Sequence, residues 1–163
     1  MRPNAQWLMG LRSEPTSMRP GKRGGQDLGR SRGGFTTKIH RVADGLGHPL
    51  DFPLTAGQVH GCSQAEALLM GRQAKGVLGD QGYDSDRILR YIQAMPARPV
   101  IPPKVNRSHP GPFDHERCKL RHRIANLFNK LKQYRSLATR YDKTARNDGA
   151  MVALGCILIW LRA

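Results

Sequence analysis

Acidic residues are scarce in this chain: 12 Asp and Glu stand against 27 Lys and Arg in 163 residues, a net charge of +15. An imbalance of that size must be screened or used, and a polyanion is the partner that fits it. Charge selects nucleic acid but no activity, since a ribosomal-type or histone-like module would read the same way. Cysteine is scarce too. Cys62, Cys118 and Cys156 are odd in number and lack CxxC spacing, which argues against a disulfide framework and suits a reducing compartment. Long hydrophobic runs are missing: the longest, at 150–161, is too short to span a bilayer and reads as a core helix. No charged-then-apolar leader opens the chain, so an intracellular protein without a membrane partner is expected. The length suffices for one domain with a real core and is too short for two.

Residues 1–34 are rich in Gly, Pro and Arg and offer little to bury, so they are expected to form a flexible basic segment. The ordered domain is expected over 35–163. In "FTTKIHRVAD" Thr37, Ile39, Arg41 and Ala43 alternate with Lys38, His40 and Val42, a strand ended by the turn "DGLG". "HPLDFPLTAGQV" reads as the returning strand, at an edge because of its prolines. A short helix follows with Ser63 as N-cap, then the strand in "KGVLGDQGYD", a helix capped by Ser85, and the strand in "RPVIPP". A polar linker leads to a long basic helix, and the apolar helix closes the chain. The order is that of a mixed α/β protein.

Asp80 is the most informative acid. It stands where an apolar strand gives way to a loop, and such loop ends are where reacting groups collect in α/β sheets. Gly79 and Gly82 would let a substrate backbone approach; alternatively Asp80 caps a turn. The segment 118–135 carries six Lys and Arg and no acid. At about 100° per residue, Leu120, Ile124, Leu127, Leu131 and Tyr134 form one stripe, with Arg121, Ala125 and Lys132 together beside it. Those cations could hold phosphates while the stripe packs on the sheet. A solvated basic face is the plainer reading, but no acid occurs from residue 117 to 141, and ordinary exposed helices mix signs. His115, Cys118 and His122 share a face but match no structural zinc spacing. The basic "GRSRGG" stretch has no strand–helix context for a nucleotide fingerprint.

"GRSRGGFTTKIHRVADGLGHPLDFPLTAGQVHGCSQAEALL", "GDQGYDSDRI", "PVIPP" and "RHRIANLFNKLKQYRSLATRYDKTARN" together resemble bacterial insertion-sequence transposases of the DDE superfamily, the group of insertion sequences four and five. The similarity covers about residues 29–161. It implies an RNase H-like mixed sheet flanked by helices, here incomplete at its N-terminus. It also implies three carboxylates holding two Mg²⁺ or Mn²⁺ ions that activate water or a DNA 3′-hydroxyl against phosphodiesters. Asp80 matches the second carboxylate. The family's helix motif is Tyr, two residues, Arg, three residues, Glu, six residues, Lys; Arg121 and Lys132 match its phosphate-gripping cations. Cys118 stands at the Tyr and Ala125 at the catalytic Glu. Glu14, in "EPTSMR", is the counterpart of the first carboxylate. Arg123, Lys130 and Arg135 of the helix, with Arg30, Arg32 and Lys38 upstream, complete the expected DNA-binding set. The resemblance thus implies a truncated transposase catalytic domain, inactive alone because its metal binding is impaired. The alternative is a non-catalytic protein that occupies transposon ends or regulates an intact transposase. The expected partners are double-stranded DNA and a second copy or a full-length transposase, in a nucleoid-associated cytoplasmic setting.

Overall fold

The computed structural model describes residues 8–18, 27–31, 34–108, 113–134, 137, 139–142 and 144–162, with backbone alone at 8–18, 31, 123, 124 and 128. One mixed sheet runs through it. Its strands are β1 (Leu8–Met18), β2 (Gly29–Ser31), β3 (Gly34–Ala43), β4 (Pro49–Asp51), β5 (Leu54–Ala56), β6 (Gly76–Gly79), β7 (Arg98–Val100) and β8 (Thr139–Arg140). The main path is β2-β3-β1-β6-β7; β4 and β5 pair with β3, and β8 pairs with β1. β1 is antiparallel to β3 and parallel to β6, which is parallel to β7. This is the mixed sheet expected of an RNase H-like fold.

Within 1–34, where composition suggested a flexible segment, Leu8–Met18 and Gly29–Ser31 are strands of this sheet. Leu8–Met18 is the middle strand of the sheet, bonded on both sides. The sequence signal is weak because "LMGLRSEPTSM" carries Gly, Arg, Ser, Glu and Pro where a doubly covered strand is usually a near-continuous apolar run. Residues 19–26 lie outside the described set.

Helices cover both faces. On one, α1 (Ala65–Leu69) and α2 (Asp86–Ala94) pack Leu68, Leu69, Ile88 and Ile92 against Val42 and Val77. On the other, α4 (His122–Lys132) and α5 (Ala145–Leu161) pack Leu127, Leu131, Val152 and Cys156 against Ile39, Ala43 and Leu78. The alternation of β6 makes this division: Val77 joins one core and Leu78 the other. Gly155 lets α5 approach closely, since a Cβ there would lie 2.6 Å from Leu137 Cδ1 and 2.8 Å from Leu131 Cδ2.

Of the two caps read from the sequence, one is found. Ser85 does cap α2, accepting from the Ile88 N–H. Ser63 caps nothing; a 3₁₀ turn at Gly61–Gln64 precedes α1, and His60 accepts from Cys62 N in the capping role. The hydroxyl of Ser63 instead donates to the His60 carbonyl at 2.8 Å. The basic helix is also two helices, α3 (His115–Lys119) and α4. At the join, Leu120 and Arg121 donate to carbonyls three residues back, Arg117 and Cys118. The turn tightens there, while both residues keep right-handed helical angles.

His40 of β3 is fully buried. Its Nε2 meets Thr55 Oγ1 at 2.7 Å, and Nδ1 has no hydrogen-bond partner among the described residues. Burial, with Lys38 nearby, pushes the imidazole down to about 4. The folded state therefore prefers the neutral ring. Its contribution is complete above the ordinary pKa of 6.5 and is lost as pH falls from there towards 4. The loss should reach about 2–3 kcal/mol. Urea unfolding of wild type and His40→Gln between pH 7 and 4.5 measures it: the variant's curve should be flatter by that amount, and parallel curves would refute a buried neutral imidazole.

Candidate functional site

β6 delivers Asp80 to the end of the sheet, in extended backbone just before the 3₁₀ turn Gln81–Tyr83. Its Oδ1 accepts from Gly82 N at 2.9 Å, so Asp80 does cap the turn. The glycines beside it serve packing. A Cβ on Gly79 would crowd Ile101 Cγ1 at 3.2 Å, and one on Gly82 would sit 2.9 Å from Asp80 Oδ1. They make room for Ile101 and for the aspartate.

Neighbouring acids are engaged elsewhere. Asp84 is buried; its Oδ2 accepts from Lys104 N at 2.7 Å and its Oδ1 from Arg107 Nη1 at 2.6 Å. Asp86 opens α2 and bonds the other Arg107 nitrogen. Asp84 thus clamps the loop after β7, a role that its position before a helix did not reveal.

The register of β1 fixes what stands across from Asp80. Leu11 is level with Gly79, the last pair of the β1–β6 ladder. Arg12 is the next residue of β1 beyond that pair, and Glu14 lies two residues further, about 7 Å along the strand. Arg12 pairs in register with Arg41, which is buried, and Glu14 pairs with Ile39.

α4 rests on the same side of the sheet, with Leu127 and Leu131 in the core beside Leu78 and with Cys118, Leu120 and Tyr134 packed at its margin. Arg121 stands at the N-terminal boundary of α4, and Ala125 donates to the Arg121 carbonyl at 3.2 Å one turn on. Arg121 and Ala125 are half-buried, whereas Lys130 and Lys132 are exposed. Upstream, Arg30 is exposed on β2. Lys38 is half-buried and donates to the Val59 carbonyl at 2.6 Å, so one of its three N–H groups ties β3 to the loop after β5. Arg32 and Arg135 fall outside the described residues, and the side chains of Glu14 and Arg123 are not described.

Two cations lie inside the protein. Arg41 and Arg140 are each 1% exposed. Arg140 bonds the Thr37 hydroxyl and the Asp142 carbonyl, and its Nε lies 3.6 Å from Asp148 Oδ2. Burial pushes the Asp148 carboxyl up, with Arg140 opposing. The sequence offered one signal for this cluster: an acid in the first turn of an otherwise apolar helix. On α3–α4, His122 and His115 are occupied locally, by the Lys119 carbonyl at 2.6 Å and by the Phe113 ring. Among the described residues, no three His, Cys, Asp or Glu side chains gather where a metal ion could be held.

Residues 10–161 match the family described as Transposase DDE domain, and the chain belongs to that family. A Brucella ovis protein assigned as the transposase of insertion sequence element IS6501 is 40% identical over 130 residues, covering 78% of this chain and all of the relative. A Burkholderia cepacia counterpart for insertion sequence element IS402 is 29% identical over 150 residues, covering 85% of this chain and 68% of that one. Among solved structures, a piggyBac transposase synaptic complex with hairpin DNA aligns at a TM-score of 0.46 and 13% identity. That alignment covers 64% of this chain and spans about a quarter, 24%, of the piggyBac chain. Among the described residues, no helix is long and apolar enough to cross a membrane.

Proposed function

We propose that this chain is a DNA-holding transposase domain with a degenerate carboxylate site, so that alone it neither cleaves nor joins DNA. The observation that carries this reading is that, among the described residues, no three His, Cys, Asp or Glu side chains gather to hold a metal ion. The first β1 residue beyond the Leu11–Gly79 pair is Arg12, the helix-motif position is Ala125, and Asp84 and Asp86 are committed to Arg107. A DDE transposase domain implies divalent-metal chemistry. Hard cations take several oxygen ligands, and a two-metal clamp on a phosphodiester needs carboxylates that bridge both ions. Among the described side chains the one candidate is the capping Asp80, which alone does not fit that requirement.

What remains suited to function is the cationic edge of α4: Arg121, Lys130 and Lys132, with Arg123 in the same helix. Phosphate contacts from such a helix fix the position and orientation of a duplex without reading its sequence. The same parts serve the second reading, a non-catalytic occupant of transposon ends that regulates an intact transposase. A preference for the element's inverted-repeat ends over unrelated duplex of equal length would favour that reading.

The test of degeneracy uses a nicking assay on supercoiled DNA beside calorimetric Mn²⁺ titration. The wild-type chain should leave supercoiled DNA intact in Mg²⁺. Ala125→Glu should tighten Mn²⁺ binding at least several-fold, and adding Asp80→Asn should cancel the gain. Nicking by the unmodified chain that disappears in Asp80→Asn would overturn the proposal. Unchanged metal affinity in Ala125→Glu would show that Ala125 does not face Asp80.

A further inference from the structure

A cavity of about 420 Å³ opens between the turn after β3, the second half of α4 and the last turn of α5. Ala43, Gly10 and Leu78 are level across the sheet, and β3 runs antiparallel to β1 and β6. The chain leaving Ala43 for that turn therefore heads towards the end where β6 begins, whereas Asp80 stands where β6 finishes. Asn126 and Gln133, which line the cavity, lie about a third of a turn round α4 from Arg121. The cavity is thus set apart from the carboxylate position.

Its floor is apolar, made by the buried Leu127 and Ile159. His48 and Tyr134 add two rings. The His48 ring is held in place in advance. Trp160 stacks on it with centroids 4.6 Å apart, and its Nδ1 donates to Asp44 Oδ2 at 3.1 Å. Trp160 is itself tied to the Pro49 carbonyl at 2.9 Å. A ring already ordered spares a ligand that cost. The exposed Asn126, Gln133, Lys130 and Arg162 complete the lining, and no acid is among the lining residues.

We propose that this cavity takes one unstacked nucleotide, with its base against the His48 and Tyr134 rings and its phosphate on Lys130 and Arg162. Aromatic rings accept the face of any base, side-chain amides bond its edge, and paired cations suit a phosphate. Other ligands use only part of this set. A divalent ion needs several oxygen ligands, carboxylates above all. Inorganic phosphate would leave the floor and the rings unused, and a wholly apolar ligand would leave the amides and cations without partners. The volume lies near the lower end of the roughly 300–1,000 Å³ of small-ligand sites, which admits one nucleotide and no duplex. A free mononucleotide and an unpaired nucleotide within a strand share this chemistry.

Trp160 reports occupancy, because it stacks on the ring that meets the base. In Trp7→Phe, which leaves Trp160 as the one tryptophan, deoxyadenosine 5′-monophosphate should quench the fluorescence saturably. Deoxyribose 5-phosphate, which lacks the base, should bind about tenfold more weakly or worse. Tyr134→Leu should weaken mononucleotide binding about fivefold or more. Gln133→Ala, at an exposed position, should weaken it with no change in the thermal melt. The strand arm compares, by anisotropy, a short duplex holding one unpaired deoxyadenosine with the same duplex fully paired. Tighter binding of the former, abolished in Tyr134→Leu while the paired duplex binds as before, assigns the site to a strand. Equal binding of the two duplexes, with the mononucleotide still quenching, assigns it to the free nucleotide. Equal binding without quenching, or deoxyribose 5-phosphate binding as tightly as the nucleotide, would overturn the proposal. Failure of both duplexes to bind would count against DNA holding and not against this cavity, which the mononucleotide tests by itself.

Discussion

Duplex DNA should be released from this chain by salt, with affinity falling on the order of 10³- to 10⁵-fold between about 50 and 200 mM if six to ten phosphates are contacted. The expectation rests on where the charges are, not only on their sum. Arg41 and Arg140 are buried and cannot reach a phosphate. Arg72, Arg87, Arg107, Arg117 and Lys119 already face Asp51, Glu66, Asp84 with Asp86, Asp114 and Glu116. α4 is different, because no acid occurs anywhere in it. Its cations Lys130 and Lys132 are exposed on the surface that a polyanion would meet. Arg121→Ala and Lys132→Ala should each weaken binding several-fold and lower the salt slope by about one. Ala125→Gln should change little, since alanine has no polar group to lose. Fluorescence anisotropy on one duplex across the salt series measures all of this. A flat salt response would remove the backbone-binding role, and equal small effects from all three substitutions would show that this edge does not face DNA.

The largest effect on stability should come from Asp84→Ala, which we expect to cost about 3 kcal/mol and lower Tm by about 6–12 °C. The Asp84 side chain is 3% exposed and holds two donors, the Lys104 N–H and the Arg107 guanidinium. Removing it leaves the Lys104 N–H without its acceptor and takes from Arg107 its buried carboxylate, the exposed Asp86 remaining. Asp86 supplies the contrast. It bonds the same Arg107, but its side chain is 75% exposed and water can replace it, so Asp86→Ala should cost under about 1 kcal/mol. Thermal melts of the two variants side by side decide the matter. Comparable small shifts would mean that Asp84 is not the clamp its burial suggests.

The sequence was most legible where one local rule acted. β3 with its "DGLG" turn, the Ser85 cap, the short apolar strand before Asp80 and the stripe through Leu127, Leu131 and Tyr134 all follow from periodicity and capping. It failed where a partner distant in sequence decides the outcome. β1 is a strand because β3 and β6 bond it, although its composition argues otherwise. Asp84 and Asp86 look alike in sequence, and only Arg107, more than twenty residues on, separates a buried clamp from a surface pair. The pairing of Leu11 with Gly79, which brings β1 to the strand that ends at Asp80, is likewise a product of register, which no count of residues along the chain could supply.

The position of β1 also governs how this sheet can assemble. Residues 8–18 bond to β3 nearby in sequence, then to 76–79, and finally to 139–140. The ladder around β1 is therefore completed by residues made about 120 positions later, and such distant pairings close slowly because loop entropy is lost before contacts repay it. Until then β1 presents an unsatisfied edge. A chain lacking its first 18 residues would lose not a tail but the middle of its sheet, leaving β3 and β6 as two open strands inviting pairing with other chains.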